Sequence, residues 1–78
     1  MPTVRFFGPI RDVMGTRSMD VDESMLSDVL SACGAAGGPS AIELLATCAV
    51  WVNGQPSSLE TTLGSDDEVA FLSPVSGG

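Results

Sequence analysis

The chain contains no lysine, no histidine and no tyrosine, and only three arginines, two cysteines and one tryptophan. Each absence excludes chemistry. Without histidine, neither a Ser–His nor a Cys–His nucleophile pair can be assembled, and no imidazole metal ligand exists. Without lysine there is no Schiff base and no phosphate-binding P-loop. Cys33 and Cys48 stand far apart with no second pair, which excludes a four-cysteine zinc site. They read as thiols packed like small apolar residues, with a disulfide or redox role as the alternative. No metal and no bound cofactor are expected. No apolar run approaches the ~18 residues of a membrane span. Met1-Pro2-Thr3-Val4-Arg5 has none of the features of a secretory leader. A cytoplasmic location, away from membranes, is the resulting expectation.

Positive charge is the scarcest commodity. Arg5, Arg11 and Arg17 face ten acids, for a net charge of −7. A groove for DNA or RNA cannot be built from that balance, because phosphate binding needs a positive field. The same field opposes anionic membranes. A protein with a basic face is the natural complement. Catalysis by this chain's own side chains is therefore not expected, and attention moves to binding surfaces and chain ends.

What is present suffices for one small domain. Seventy-eight residues with 44% apolar content can form a thin core, since a chain this short buries only about 60% of its unfolded surface. Val4-Arg5-Phe6-Phe7 reads as a strand closed by Gly8-Pro9, and Ile10 to Met14 as one helical turn closed by Gly15. Ser18 to Asp22 alternates as a half-buried strand, completing an N-terminal hairpin with a wide loop. Ser24 reads as the N-cap of the main helix. Its apolar stripe is Leu26, Val29, Leu30 and Cys33, and Gly34 is the expected residue past its end. Residues 35–39 read as a loop, and Ser40 as the cap of a short helix carrying Ile42, Leu44 and Leu45. Ala49 to Val52 is a strand, Asn53-Gly54 a tight turn and Gln55-Pro56 a short edge strand. Leu59 and Leu63 are expected core anchors, 64–67 a polar turn, and Glu68 to Leu72 the last strand.

This order predicts an α+β domain with a ubiquitin-like β-grasp topology: a mixed sheet packed on one main helix, the last strand lying beside the first. The domain is expected over residues 1–72, with 73–78 a flexible tail. If Val4, Phe6, Val69 and Phe71 face the helix, alternation turns Phe7, Leu72 and Trp51 outward. Such an apolar patch marks a protein interface; the alternative is that loops or the tail cover it. From Leu72 to Gly78, seven residues can reach roughly 23–25 Å. Pro74 stiffens the start, and Gly77-Gly78 ends in a carboxylate on a peptide with no Cβ, slim enough for a narrow slot. A frayed end is the bland reading of such a tail.

The ending Asp67-Glu68-Val69-Ala70-Phe71-Leu72-Ser73-Pro74-Val75-Ser76-Gly77-Gly78 resembles the C-terminus of the MoaD family. This is the small sulfur-carrier subunit of molybdopterin synthase, within the ubiquitin-like MoaD/ThiS superfamily. The segment from Val4 to Gly15 resembles that family's first strand and turn, and Val52-Asn53-Gly54-Gln55 its central turn. The resemblance spans essentially the whole chain. The family commonly has two prolines where this chain has Ser73-Pro74, and a glycine where it has Asp67.

The resemblance implies a function in molybdenum cofactor biosynthesis. An E1-like adenylyltransferase uses ATP, in trans, to activate the carboxylate at Gly78. A sulfur donor protein converts the adenylate to a thiocarboxylate, and the sulfur passes to a pterin precursor inside the large synthase subunit, within an expected heterotetramer. Catalytic side chains are then expected on the large subunit, with this chain a carrier. The implied partner-binding residues are Phe7, Arg11, Leu72, Pro74, Val75, Ser76 and Gly77, with Gly78 the reactive end. Three alternatives share parts of this pattern: a carrier for thiamine, cysteine or tRNA thiolation, a ubiquitin-like modifier of proteins, and a non-covalent interaction module.

Overall fold

The computed structural model describes residues 1–74. Its order is β1 (Thr3–Phe7), α1 (Pro9–Met14), β2 (Ser18–Asp20), α2 (Leu26–Gly37), α3 (Pro39–Leu45), β3 (Ala49–Val52), β4 (Gln55–Pro56) and β5 (Glu68–Leu72). The strands form one sheet in the order β2-β1-β5-β3-β4. β1 and β5 run parallel, and the other neighbours are antiparallel. The expected β-grasp fold is therefore present, with the last strand beside the first.

Alternation along the two central strands decides which face is buried. Val4, Phe6, Val69 and Phe71 are buried against Ile10, Leu26, Val29, Cys33 and Leu45. The Phe6 and Phe71 rings lie 6.2 Å apart and nearly parallel, 13° between planes, an offset arrangement that aromatic quadrupoles favour. Cys33 belongs to this core, and Cys48 is half-buried; both are free thiols. Burial, with a smaller contribution from Glu23, pushes the Cys33 thiol up to about 11, so it stays protonated at neutral pH.

Several helix boundaries differ from the sequence reading. Ser24 is not the cap of α2. Met25 precedes its first turn and makes no side-chain cap. The free N–H groups of that turn instead donate to the carbonyls of Thr61 (from Leu26, 2.9 Å) and Leu59 (from Ser27, 2.8 Å), while the Ser24 carbonyl accepts from Leu63. A distant backbone segment thus does what a local side chain was expected to do. Leu63 is buried as expected, but Leu59 is 40% exposed: its carbonyl serves the first turn of α2, and its side chain stays outside the core.

Gly34 does not end α2, which continues to Gly37. A Cβ on Gly34 would come within 2.9 Å of Ile42 Cγ1; the missing side chain lets α3 pack closely against α2. Ser40 caps nothing: Gly38 precedes α3 and Pro39 opens it, where a proline's missing N–H costs no hydrogen bond. β2 stops at Asp20, two residues short of the expected end.

The Asn53-Gly54 turn has positive φ at both residues, 51° and 82°, as a two-residue hairpin requires. It is tied to the root of β5. Asn53 Nδ2 donates to Asp67 Oδ1 and Asn53 Oδ1 accepts from the Glu68 N–H, both at 2.9 Å. Asp67 Oδ2 accepts from the Gly64 N–H at 2.7 Å. The Gly64 hydrogen bond first, then the Asn53 one, holds the Asp67 carboxyl below its ordinary range. What this contributes to folding is present at neutral pH and is lost as pH falls through that lowered value.

Candidate functional site

The outward face of the sheet carries an apolar platform. In the β1–β5 register Phe7 stands beside Leu72, and across β5–β3 Ala70 stands beside Trp51. Phe7 is 47%, Leu72 38% and Trp51 36% exposed. With Ala70, Gly54 and Glu68 they line a depression of about 240 Å³. The patch predicted from alternation is thus assembled, and among the described residues nothing covers it. At its polar margin Arg5 Nε meets Glu68 Oε2 at 3.2 Å, with both side chains about half exposed. Such a pair contributes little to stability.

The end of β5 is fastened to the start of α1. Gly8 precedes α1 and has no side chain to cap it. The cap comes from the far end of the chain: Ser73 Oγ accepts from the Ile10 N–H at 3.0 Å and donates to the Phe7 carbonyl at 3.0 Å. The Ser73 N–H also donates to the Phe7 carbonyl, at 3.1 Å. Ser73 is 7% exposed. Gly8 makes the approach possible, because a Cβ there would lie 2.8 Å from Ser73 Oγ, and its φ of 83° already suits glycine. Sequence reasoning placed Ser73 in the tail. In the structure its hydroxyl is part of the body, and the only signal was its departure from the prolines common in the resembling family.

Ser73→Ala should leave the buried Ile10 N–H without an acceptor and cost about 1–3 kcal/mol, a loss that chemical denaturation would resolve. Ser73→Thr, which keeps the hydroxyl, should lose much less. Equal stability of Ser73→Ala and the parent would remove the clasp from the account.

Of the other residues singled out in the sequence, Arg11 is exposed on α1, off the apolar platform, and Pro74 is exposed just past the Ser73 clasp. Val75, Ser76, Gly77 and Gly78 lie outside the described residues. Among the described residues, no group of three His, Cys, Asp or Glu side chains is placed to hold a metal ion, and no helix is long and apolar enough to cross a membrane.

Comparison with known proteins gives this arrangement a context. The model of the ThiS family matches residues 4–78. No curated protein matches. Among solved structures, SAMP1 from Haloferax volcanii is 30% identical, with a TM-score of 0.76, over 99% of this chain and 98% of that one. The complex of subunits 1 and 2 of the molybdopterin-converting factor from Helicobacter pylori contains a chain 28% identical, with a TM-score of 0.75, over 99% of this chain and 97% of that one. The Amycolatopsis orientalis BexX/CysO complex matches with a TM-score of 0.80 over 100% of both chains, and at 18% identity it shares the fold.

Proposed function

The chain belongs to the ThiS family, and from that premise we propose that it is a sulfur carrier for molybdenum cofactor biosynthesis, with Gly78 as the loaded residue. The observation that supports this most is the extent of the family match, which runs through Gly77-Gly78 to the last residue. The chemistry explains why so spare a side-chain inventory suffices. A carboxylate is a poor electrophile, because its leaving group would be oxide. An E1-like enzyme joins the Gly78 carboxylate to the AMP part of ATP and releases pyrophosphate. The terminal sulfur of a donor persulfide attacks the acyl carbon and expels AMP. A thiol then takes the donor's sulfur as a disulfide, leaving a thiocarboxylate on Gly78. That anionic sulfur is a soft nucleophile, and in the large synthase subunit it is passed to the pterin precursor. ATP acts in trans, and nothing need be bound by this chain.

On this reading the apolar platform of Phe7, Trp51 and Leu72 docks the partner, while Pro74 and the residues after it lead the carboxylate into the partner's active site. The Ser73 clasp fixes where that lead begins. The molybdopterin branch is favoured by the ending from Asp67 to Gly78 and by the 28% identity to a molybdopterin-converting factor chain. The second reading is a protein modifier, favoured by the 30% identity to SAMP1, a small archaeal modifier protein.

One experiment separates them. The chain is co-expressed with its activating enzyme, purified, and mixed with the large subunit and the pterin precursor. Intact mass should show one oxygen exchanged for sulfur, followed by return to the carboxylate as the precursor gains sulfur. An unmodified carboxylate throughout would overturn the carrier reading. Conjugates on target lysines, with no sulfur reaching the pterin, would favour the modifier.

A further inference from the structure

We propose that the arginine-lined depression beside Phe7 receives a carboxylate-rich segment of the partner protein, so that the docking surface has an apolar half and a cationic half. This deepens the carrier reading and rests on it. The chain carries three cations against ten acids. All three line one depression of about 350 Å³, together with Phe6, Phe7 and Ser18. They arrive there from separate elements: Arg5 from β1, Arg11 from α1, and Arg17 from the turn before β2. The placement is built in. The Arg17 carbonyl accepts from the Phe6 N–H at 2.9 Å, and the Arg11 carbonyl accepts the N–H of Gly15, which closes α1.

The three cations are not equivalent. Arg5 is held by Glu68. Among the described residues Arg11 and Arg17 form no ion pair, although Asp12 lines an adjoining depression with them. The remaining acids line neither depression. Two uncommitted arginines therefore line the same depression on an otherwise acidic molecule. Phe7 is the shared wall, lining both this depression and the apolar one.

The occupant follows from charge and exposure. All three arginines are exposed, so a free small anion finds no desolvated seat among them. A guanidinium fork matches a carboxylate in two prongs. Several exposed pairs, each weak, act together when their acids arrive on one body already anchored at Phe7. Nucleic acid would bring phosphates against a net charge of −7. A partner with acids opposite Arg11 and Arg17, and basic or neutral groups elsewhere, docks in one orientation. Rotated placements set acid against acid.

The test titrates isotope-labelled full chain with capped tetraglutamate, read by backbone amide shifts. At ~0.1 M salt, charges beyond ~10 Å are screened and the nearby guanidiniums dominate. The amides of Phe7, Arg11, Arg17 and Ser18 should move, and the shifts should vanish near ~1 M salt, where the screening length is ~3 Å. Arg17→Gln and Arg11→Gln should each weaken binding by up to roughly fivefold, the upper range for an exposed pair. Gln55→Glu, on β4 at the opposite edge of the sheet from β2, lowers the net charge by the same one unit as each arginine variant and should change affinity by less than about twofold.

Shifts scattered over the chain, or a loss in Gln55→Glu equal to that of Arg17→Gln, would overturn the depression as a defined surface. Inorganic pyrophosphate moving the same amides at lower concentration than the peptide would overturn the protein partner in favour of a small anion. Neither probe involves activation or sulfur. A failure here therefore leaves loading at Gly78 untouched, and a failure of loading leaves this result standing.

Discussion

A chain shortened by Gly78 is expected to accept no measurable sulfur from the activating system that loads the parent. The shortened chain still ends in a glycine carboxylate, so its chemistry at the terminus is unchanged. What changes is reach, by ~3.3–3.6 Å for one residue. Misplacing a reacting atom by even ~1 Å can cost about a hundredfold in rate, so a whole residue should abolish adenylation at practical enzyme concentrations. Gly78→Val tests the other requirement, slimness, because it restores the length but puts a branched side chain beside the reacting carbonyl. It should fail as well. The buried apolar core is drawn from residues 4–71, so both variants should melt with the parent, which separates loss of loading from loss of fold. Intact mass spectrometry after co-expression is the readout. Full loading of the shortened chain would remove the terminal carbonyl from the mechanism, and full function of either variant in cells without any loading would point to a non-covalent module.

How much of this was legible in the residues depends on the range of the interaction involved. β3, β4 and β5 fall where alternation and the Asn53-Gly54 turn place them, because strand period and turn chemistry are local properties. The burial of Val4, Phe6, Val69 and Phe71 follows from the same period. The helix ends depart from the local cap signals where the partner of a backbone group lies far away in sequence. Ser24 has the residue type of a cap, but the N–H groups it would have satisfied are taken by Leu59 and Thr61. Gly34 has the residue type of a stop, but a glycine also serves where two helices touch, and Ile42 is eight positions on. Nothing within a window of a few residues distinguishes those uses.

The site divides in the same way. Phe7, Trp51 and Leu72 were readable as outward, and the register brings them together. The Ser73 clasp spans 63 residues to Ile10, and no pattern in the sequence joins those positions. Arg17 was merely one of three scarce cations until the turn before β2 placed it with Arg5 and Arg11. Composition gave the scarcity, and the chain's path gave it a location.

Phe7→Asp should weaken binding to the large synthase subunit by ~2–4 kcal/mol, the range of a central aromatic anchor, which is roughly thirty- to a thousandfold in Kd. Two effects combine. The ring's contact area is lost, and a carboxylate is carried into a desolvated interface. Phe7 is 47% exposed and faces away from the core, so the fold should tolerate the change. Phe7→Ala separates the two effects and should retain part of the affinity. The new carboxylate in Phe7→Asp would also lie beside the depression that holds Arg11 and Arg17, so only the alanine variant reports the ring alone. Leu72 is the register partner of Phe7. Phe7→Ala and Leu72→Ala should therefore be non-additive, with a coupling of about 0.5–3 kcal/mol, as for residues in contact. Trp51 is the chain's single tryptophan and lines the same depression, so its fluorescence should shift to shorter wavelength as the partner excludes water. A parent-like Kd for Phe7→Asp, or Trp51 emission unmoved by a partner that binds, would detach the platform from the interface and leave the tail to do the docking alone.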